Sequence, residues 1–328
     1  MPALTQLVAQ LPATLPAAVL VVQHLAPDST GRPLVARLAE HSALVCELAT
    51  HQAPLLAGHL YLAPPDHHLL VKEDYVLVTT GPHENSYRPS VDTLFRSAAV
   101  AYDSHVIGVV LTGMLHDGTA GLEFVKRCGG TAVVQDPADA EFSSMPASAL
   151  RAVEIDYVVP LAQMGALLTK LVGPGYGEPT EPLAIPVDLQ QEAAIAERVV
   201  GSTAQVSQLG HLVPFTCPDC GGNLWQIDHG QVQRFRCHTG HAYTAEALAE
   251  SSRRSLEETL WVALRMMEER KNLLGSLASH GTTTGSAQQH ERLEELRHHV
   301  NRLRDFLLVS TEGSPASPAP LSAPTPAG

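Results

Sequence analysis

Two side chains in the first half of the sequence could work together on a carbonyl group. His24 ends the apolar, β-branched run "AAVLVVQH", and Asp117 lies in "GMLHDG", just past the second such run, "HVIGVVLTG". An imidazole held by a carboxylate keeps one tautomer and serves as a general base. Taken singly, each has a plainer use: an ordinary loop histidine, and an N-cap aspartate ahead of a helix. A second group lies farther along, Cys217-x-x-Cys220 followed by Cys237-x-x-x-His241. Three thiolates and an imidazole at this spacing suit a closed, tetrahedral, structural Zn²⁺ site. The plainer reading is a cysteine knuckle that only shapes a turn. His238 is the weaker ligand, because adjacent Cys and His rarely face one metal. His67-His68 and His298-His299 read as surface histidines, and Cys46 and Cys128 as lone buried thiols.

The elements that must position these groups alternate strand and helix as far as Val172. Helical periodicity marks "TQLVAQL", "RPLVARLAEH", "VDTLFRSAAVAY" and "GTAGLEFVKRC". Continuous apolar runs mark "AVLVVQ", "HVIGVVLTG" and "TAVVQDP" as strands with both faces covered. "LLVKEDYVLVTT" reads as a hairpin turning at Glu73-Asp74. Such alternation predicts an α/β fold with a doubly wound, mainly parallel sheet. Working groups of open parallel sheets gather beyond the carboxyl ends of the strands. His24, the Thr112–Asp117 stretch and Gln135-Asp136 are therefore expected on one rim. A crossover helix normally follows a strand, yet only Met1, Pro2 and Ala3 precede "LTQLVAQL". The first strand is expected to be missing.

Composition divides the chain further. Residues 1–173 form the α/β domain, and 174–212, opening on "PGYGEPTEP", a linker. Residues 213–243 form a small zinc-ribbon-like module. Residues 244–309 form a helical hairpin with Leu256, Leu260, Leu264 and Met267 on one helix. Leu293, Leu296, Val300, Leu303 and Leu307 make a heptad-like seam on the other. That seam also permits a homodimer. The Pro/Ala/Ser-rich residues 310–328 are expected to be disordered. The 328 residues carry a net charge of −13, which argues against a nucleic-acid partner held by bulk charge. No run is long enough to insert in a membrane, and the amino terminus lacks a basic leader, so a cytoplasmic protein is expected.

Several separate stretches resemble the catalytic domain of the CheB-type chemotaxis receptor methylesterases: "VVQHL", "YLAPPDHHLLV", "RPSVDTLFRSAA", "VVLTGM", "QDPADAEFSSMP" and "SAL", in that order. The resemblance implies hydrolysis of γ-glutamyl methyl esters on receptor or other signalling-protein helices, with deamidation of glutamine there as a second activity. It implies His24 and Asp117 as the catalytic histidine and aspartate, with Met114 and Arg88 at the site. The family's nucleophilic serine belongs to a Gly-x-Ser-x-Gly-Gly turn ahead of the first helix, and that turn is not found here. Ser29, Ser86, Ser90, Ser143 and Ser144 read as turn and loop serines. Little esterase activity is therefore expected. One reading is a truncated or mis-started copy of an active enzyme; the other is a catalytically inactive protein that binds a signalling partner. Leu115-His116 stands where the family commonly has Gly-x. The Cys/His words resemble a zinc-ribbon-like extension found on some stand-alone relatives.

Overall fold

The computed structural model describes residues 2–173, 184–198, 202–280 and 286–312. The chain divides into two units, Met1–Ser251 and Ser252–Gly328. In the first, α1 (Pro2–Val8) buries Leu4, Leu7 and Val8, the helical face read from the sequence. Next come β1 (Val19–Val21), α2 (Arg32–His41), β2 (Val45–Leu48) and β3 (His59–Leu62). These strands pair in parallel in the order β1-β3-β2, with Val19 opposite Leu60 and Cys46 opposite Leu60 on the other side. Then β4 (His68–Val71) and β5 (Val76–Thr79) form the expected hairpin, Val71 opposite Val76 across the Glu73-Asp74 turn.

The helix α3 (Val91–Tyr102) leads through a 3₁₀ turn at Asp103–His105 to β6 (Ile107–Val110). There follow α4 (Thr119–Arg127), β7 (Thr131–Gln135), α5 (Ser144–Ala152), β8 (Tyr157–Val159) and α6 (Leu161–Leu171). These strands pair in parallel as β6-β7-β8. The α/β class and parallel pairing match expectation, but the strands fall into two separate three-stranded ladders rather than one continuous sheet. Strand interiors are apolar on both faces because helices cover them: Leu60, Leu62, Ala132, Val133 and Val134 are fully enclosed. Each such leucine or valine contributes roughly 1.5–3 kcal/mol by leaving water.

The expected linker holds two helices in its described part, α7 (Val187–Arg198) and α8 (Thr203–Ser207). Leu189 of α7 is buried among Ala99, Phe124, Val125 and Cys128, and Ile195 among Val206, Leu209, Trp225 and Ile227. Those two apolar anchors turn a polar stretch into packed structure. The Gly/Pro-rich residues 174–183 and most of the tail expected to be disordered, 313–328, lie outside the described residues. The small module is an antiparallel sheet of β9 (Gly210–Thr216), β10 (Asn223–Ile227), β11 (Arg234–Cys237) and β12 (Ala242–Thr244), in the order β12-β11-β10-β9. It is packed into the first unit through buried charge. Arg96 donates to Glu84 at 2.5 Å, Arg236 to Glu84 at 3.3 Å, and Arg234 to both Glu192 oxygens at 2.6 and 2.7 Å.

Two helices, α9 (Ala245–His280) and α10 (Ser286–Glu312), follow. In the second unit Leu264, Val300 and Leu307 are buried together, with Leu260, Met267 and Leu303 against them. Val300, Leu303 and Leu307 of the heptad-like seam thus meet partners inside one chain. Leu256 departs from expectation: it is 57% exposed, one turn before the first α9 residue of that cluster. No described helix is long and apolar enough to cross a membrane.

Candidate functional site

The loops after β1 and β6 bring His24 and Asp117 together although their strands lie in different ladders. His24 Nε2 is 2.8 Å from Asp117 Oδ2. The carboxylate is fully enclosed and the imidazole side chain is 25% exposed, so the pair has one buried and one accessible member. Asp117 accepts the Nε2–H, which leaves the Nδ1 lone pair of the neutral ring as the base. The Tyr87 ring stacks on His24, centroids 3.9 Å apart and planes 7° from parallel. Stacking and hydrogen bond together remove the freedom of the imidazole to rotate.

Asp117 is held by the amino terminus of α3. It accepts the Val91 N–H at 2.7 Å, the Ser90 hydroxyl at 2.7 Å and the Asp92 N–H at 3.3 Å. Ser90 occupies the N-cap position in extended backbone without capping the helix itself. A carboxylate from the β6–α4 loop does that work, at the positive end of the helix dipole. Burial pushes Asp117 upward, but the hydrogen bond and charge of His24, with the Val91 and Ser90 donors, hold it below the usual carboxylate range. Asp92 beside it goes the other way: burial, then the charge of Asp117, raise it to about 8. Two enclosed carboxyl groups therefore share one negative charge, and it rests on the one facing the imidazole.

The β6–α4 loop is tightly constrained. Gly118 has φ 93°, and a Cβ there would sit 3.0 Å from Val91 Cγ1, so glycine is required beside Asp117. Leu115 has φ 67°, the left-handed region, with no such freedom. Met114 is 63% exposed on the same loop. Arg88 is occupied: its Nε and Nη2 donate to Asp66 Oδ1 at 2.8 and 2.7 Å, and Nη1 to the Thr80 and Gly81 carbonyls at 3.3 and 3.0 Å. It joins two loops near the site.

Sequence reasoning missed several members of the site. Ser90, read as a loop serine, orients the carboxylate. His68, read as a surface residue, is buried; its Nε2–H donates to the Pro82 carbonyl at 2.9 Å and its Nδ1 accepts the Ser90 N–H at 3.3 Å. Asn85, Tyr87 and Asp92 went unremarked. The one available signal was the order Ser-Val-Asp opening a helical period, which marks a helix start. Among the described residues no serine hydroxyl is hydrogen-bonded to His24; the Ser90 hydroxyl is spent on Asp117 and Ser29 accepts the Gly31 N–H.

In the small module the ligand atoms of Cys217, Cys220, Cys237 and His241 lie within 4.8 Å of one another. Cys220 and Cys237 Sγ are 3.8 Å apart, and Cys237 Sγ is 3.5 Å from His241 Nδ1. A tetrahedral zinc ion with Zn–S bonds of about 2.3 Å spaces its sulfurs about 3.8 Å apart. The donor set and this edge length fit such an ion. Two tight turns preshape it: Gly221 N–H bonds the Cys217 carbonyl at 2.8 Å, and Gly240 N–H the Cys237 carbonyl at 3.1 Å. The other nitrogen of His241, Nε2, lies 3.8 Å from Asp219 Oδ2, within ion-pair range and beyond hydrogen-bond length.

Residues 1–168 match the model of the CheB methylesterase family. Over 158 residues the chain is 38% identical to a provisionally named protein-glutamate methylesterase/protein-glutamine glutaminase of Leptospira interrogans, covering 47% of this chain and 79% of that protein. It is 38% identical over 178 residues to protein-glutamate methylesterase/protein-glutamine glutaminase 2 of Methanosarcina mazei, 52% of this chain and 48% of the relative. The chain thus spans most of the first relative and about half of the second. The Thermotoga maritima CheB methylesterase catalytic domain superposes with a TM-score of 0.50 at 34% identity, over 52% of this chain and 92% of that one.

Proposed function

Because this chain belongs to the CheB methylesterase family, we propose that the His24–Asp117 pair is the acid–base centre of a protein-glutamate methylesterase-type site. The 2.8 Å contact between them carries the reading. The substrate is a γ-glutamyl methyl ester on a chemoreceptor-type helix, with a glutamine amide as the related second substrate. His24 Nδ1 accepts the proton of the attacking O–H, and the imidazolium returns it to the departing methanol. Asp117, kept charged by α3, stabilises that imidazolium without taking its proton. With no serine hydroxyl on His24 among the described residues, water is the nucleophile this arrangement supports. One O–H proton of the water then goes to Nδ1 as its oxygen bonds the carbonyl carbon, and turnover is slow because no acyl-enzyme forms. We also propose that Cys217, Cys220, Cys237 and His241 hold a structural Zn²⁺, which supplies cross-linking of the two turns and no chemistry at the ester.

Methanol release from a methylated receptor helix tests the reading. The full chain is expected to release it slowly, and His24→Ala to lose roughly 10²–10⁴-fold of that rate, the usual share of general acid–base catalysis. Rapid, His24-dependent turnover would overturn the water-nucleophile reading. Release that is absent, or indifferent to His24→Ala, would favour the second reading, a partner-binding protein without catalysis. The absence of a serine on His24 among the described residues is the observation that speaks for that alternative.

A further inference from the structure

Strand β12 begins one residue after His241 and reaches the loop that backs the His24–Asp117 pair. Ala242 bridges in parallel to Glu84. The Asn85 N–H donates to the Ala242 carbonyl at 2.8 Å, and the Thr244 N–H donates to Asn85 Oδ1 at 2.9 Å. The other end of the same amide, Nδ2, donates to Asp92 Oδ2 at 2.6 Å and to Asp117 Oδ1 at 3.4 Å. Asn85 is buried and has φ 51°, a conformation that asparagine tolerates better than most residues. The Thr244 N–H fixes the orientation of the amide, because turning it would face N–H to N–H there. Aspartate could not substitute, since its second oxygen would press a third carboxylate against two that already share a charge.

The same knuckle has further ties. Arg236 donates to the Gly240 carbonyl at 3.1 Å and to Glu84 at 3.3 Å, so it clamps the turn between Cys237 and His241 to the residue before Asn85. The Tyr243 hydroxyl lies 3.3 Å from Cys217 Sγ. His83, on the other side of Glu84, joins Asp219 and His241 in one cluster of ligand-type side chains. Residues 83–85 thus all lie against the cysteine–histidine module: a His83 ring nitrogen within 4.8 Å of the ligand-type atoms of Asp219 and His241, Glu84 through Arg236, and Asn85 through β12.

We infer that Asn85 is a positioning residue that passes the order of the cysteine–histidine module to the Asp117–His24 pair. Ordering of the two turns fixes β12, β12 fixes the amide, and the amide, bonded to Asp92 at 2.6 Å and reaching Asp117 at 3.4 Å, braces from behind the carboxylate that the α3 donors hold. The importance given to that pair rests on the methylesterase reading, but the readout chosen needs no turnover. It is the low-field proton on His24 Nε2, identified by its loss in His24→Ala and followed by proton NMR at fixed pH for exchange with water. In the zinc-loaded full chain the proton is expected to be protected. Asn85→Ala at unchanged zinc content should speed its exchange tenfold or more, and so should stripping zinc from the unaltered chain with a chelator while far-UV circular dichroism stays constant. A core variant remote from the network, Leu38→Ala, should leave the exchange unchanged where global unfolding is rare. Protection that survives both Asn85→Ala and zinc removal overturns the inference. If Asn85→Ala does not fold, the chelator experiment alone decides, in the same two directions. Absence of methanol release with the proton still responsive would sink the esterase reading and leave this one standing.

Discussion

At the scale of single residues, Leu115 has the least comfortable backbone near the site. Its φ of 67° places a γ-branched side chain in a region that costs an L-residue roughly 1–2 kcal/mol. Glycine carries no such penalty, though it gives up about 0.5–1 kcal/mol through the greater freedom of its unfolded chain. Leu115→Gly also gives up the half-buried leucine side chain, so the opposing effects are expected to leave stability within about 1 kcal/mol of the unaltered chain, read as the urea midpoint at unchanged slope. Sequence alone could flag Leu115 as a departure from a family word, but not its dihedral angle. His24 and Asp117 were legible because each follows a strongly apolar run in a recognisable word. His68 was not, because a histidine's neighbours in sequence say little about burial: it is enclosed by Pro82 and Ser90, 14 and 22 residues away.

At the scale of elements, α3 organises the site. Its first turn supplies the Val91 and Asp92 N–H groups to Asp117, and its Asp92 side chain accepts the Gly121 N–H of α4 at 2.6 Å. Asp92 sits near 8 when folded, against 3.8 for an ordinary aspartate. The folded protein thus holds more protons than the unfolded chain between about pH 4 and 8. Stability from this group is complete below that window and is lost as pH rises through 8, with a slope of up to about 1.4 kcal/mol per pH unit. Asp117, depressed, acts in the opposite sense: its contribution is present above the ordinary aspartate range and is lost as pH falls. Carboxyl ¹³C NMR should show one of the two carboxyls titrating near pH 8 while the other stays ionised throughout neutral pH. Two ordinary titrations below pH 5 would contradict this. The hairpin and α3 were legible from period and turn residues. The split into two ladders was not, because strand neighbours depend on contacts that apolar runs do not encode.

At the scale of the whole molecule, the sequence divided what the structure joins within Met1–Ser251. A Gly/Pro-rich stretch ahead of a Cys/His group suggested a module on a tether. Instead α7 anchors through Leu189 and Ile195, and Arg234 and Arg236 reach buried Glu192 and Glu84. Charges enclosed this way are tolerable only while every partner is present, since stranding one costs about 3–5 kcal/mol. Metal removal should therefore weaken the α/β domain along with the module. Protein purified without added zinc is expected to hold about one equivalent by elemental analysis; less than about a tenth would reject a tight site. Chelation is expected to lower the melting temperature of the α/β domain and the module together, in a single transition. Separate melting of β9–β12 with the α/β domain unmoved would count against that shared dependence.

The bonds from Asn85 to β12 end on the Ala242 carbonyl, a main-chain group that every residue offers, and the Thr244 N–H, which only proline lacks. Descendants of this chain can accordingly rewrite the letters of that strand while keeping its path. Position 85 has no such latitude, because there the recognition is by the amide itself. Among sequences that carry both the α/β domain and the cysteine–histidine module, the thread between them should survive as one invariant asparagine facing a strand of drifting composition.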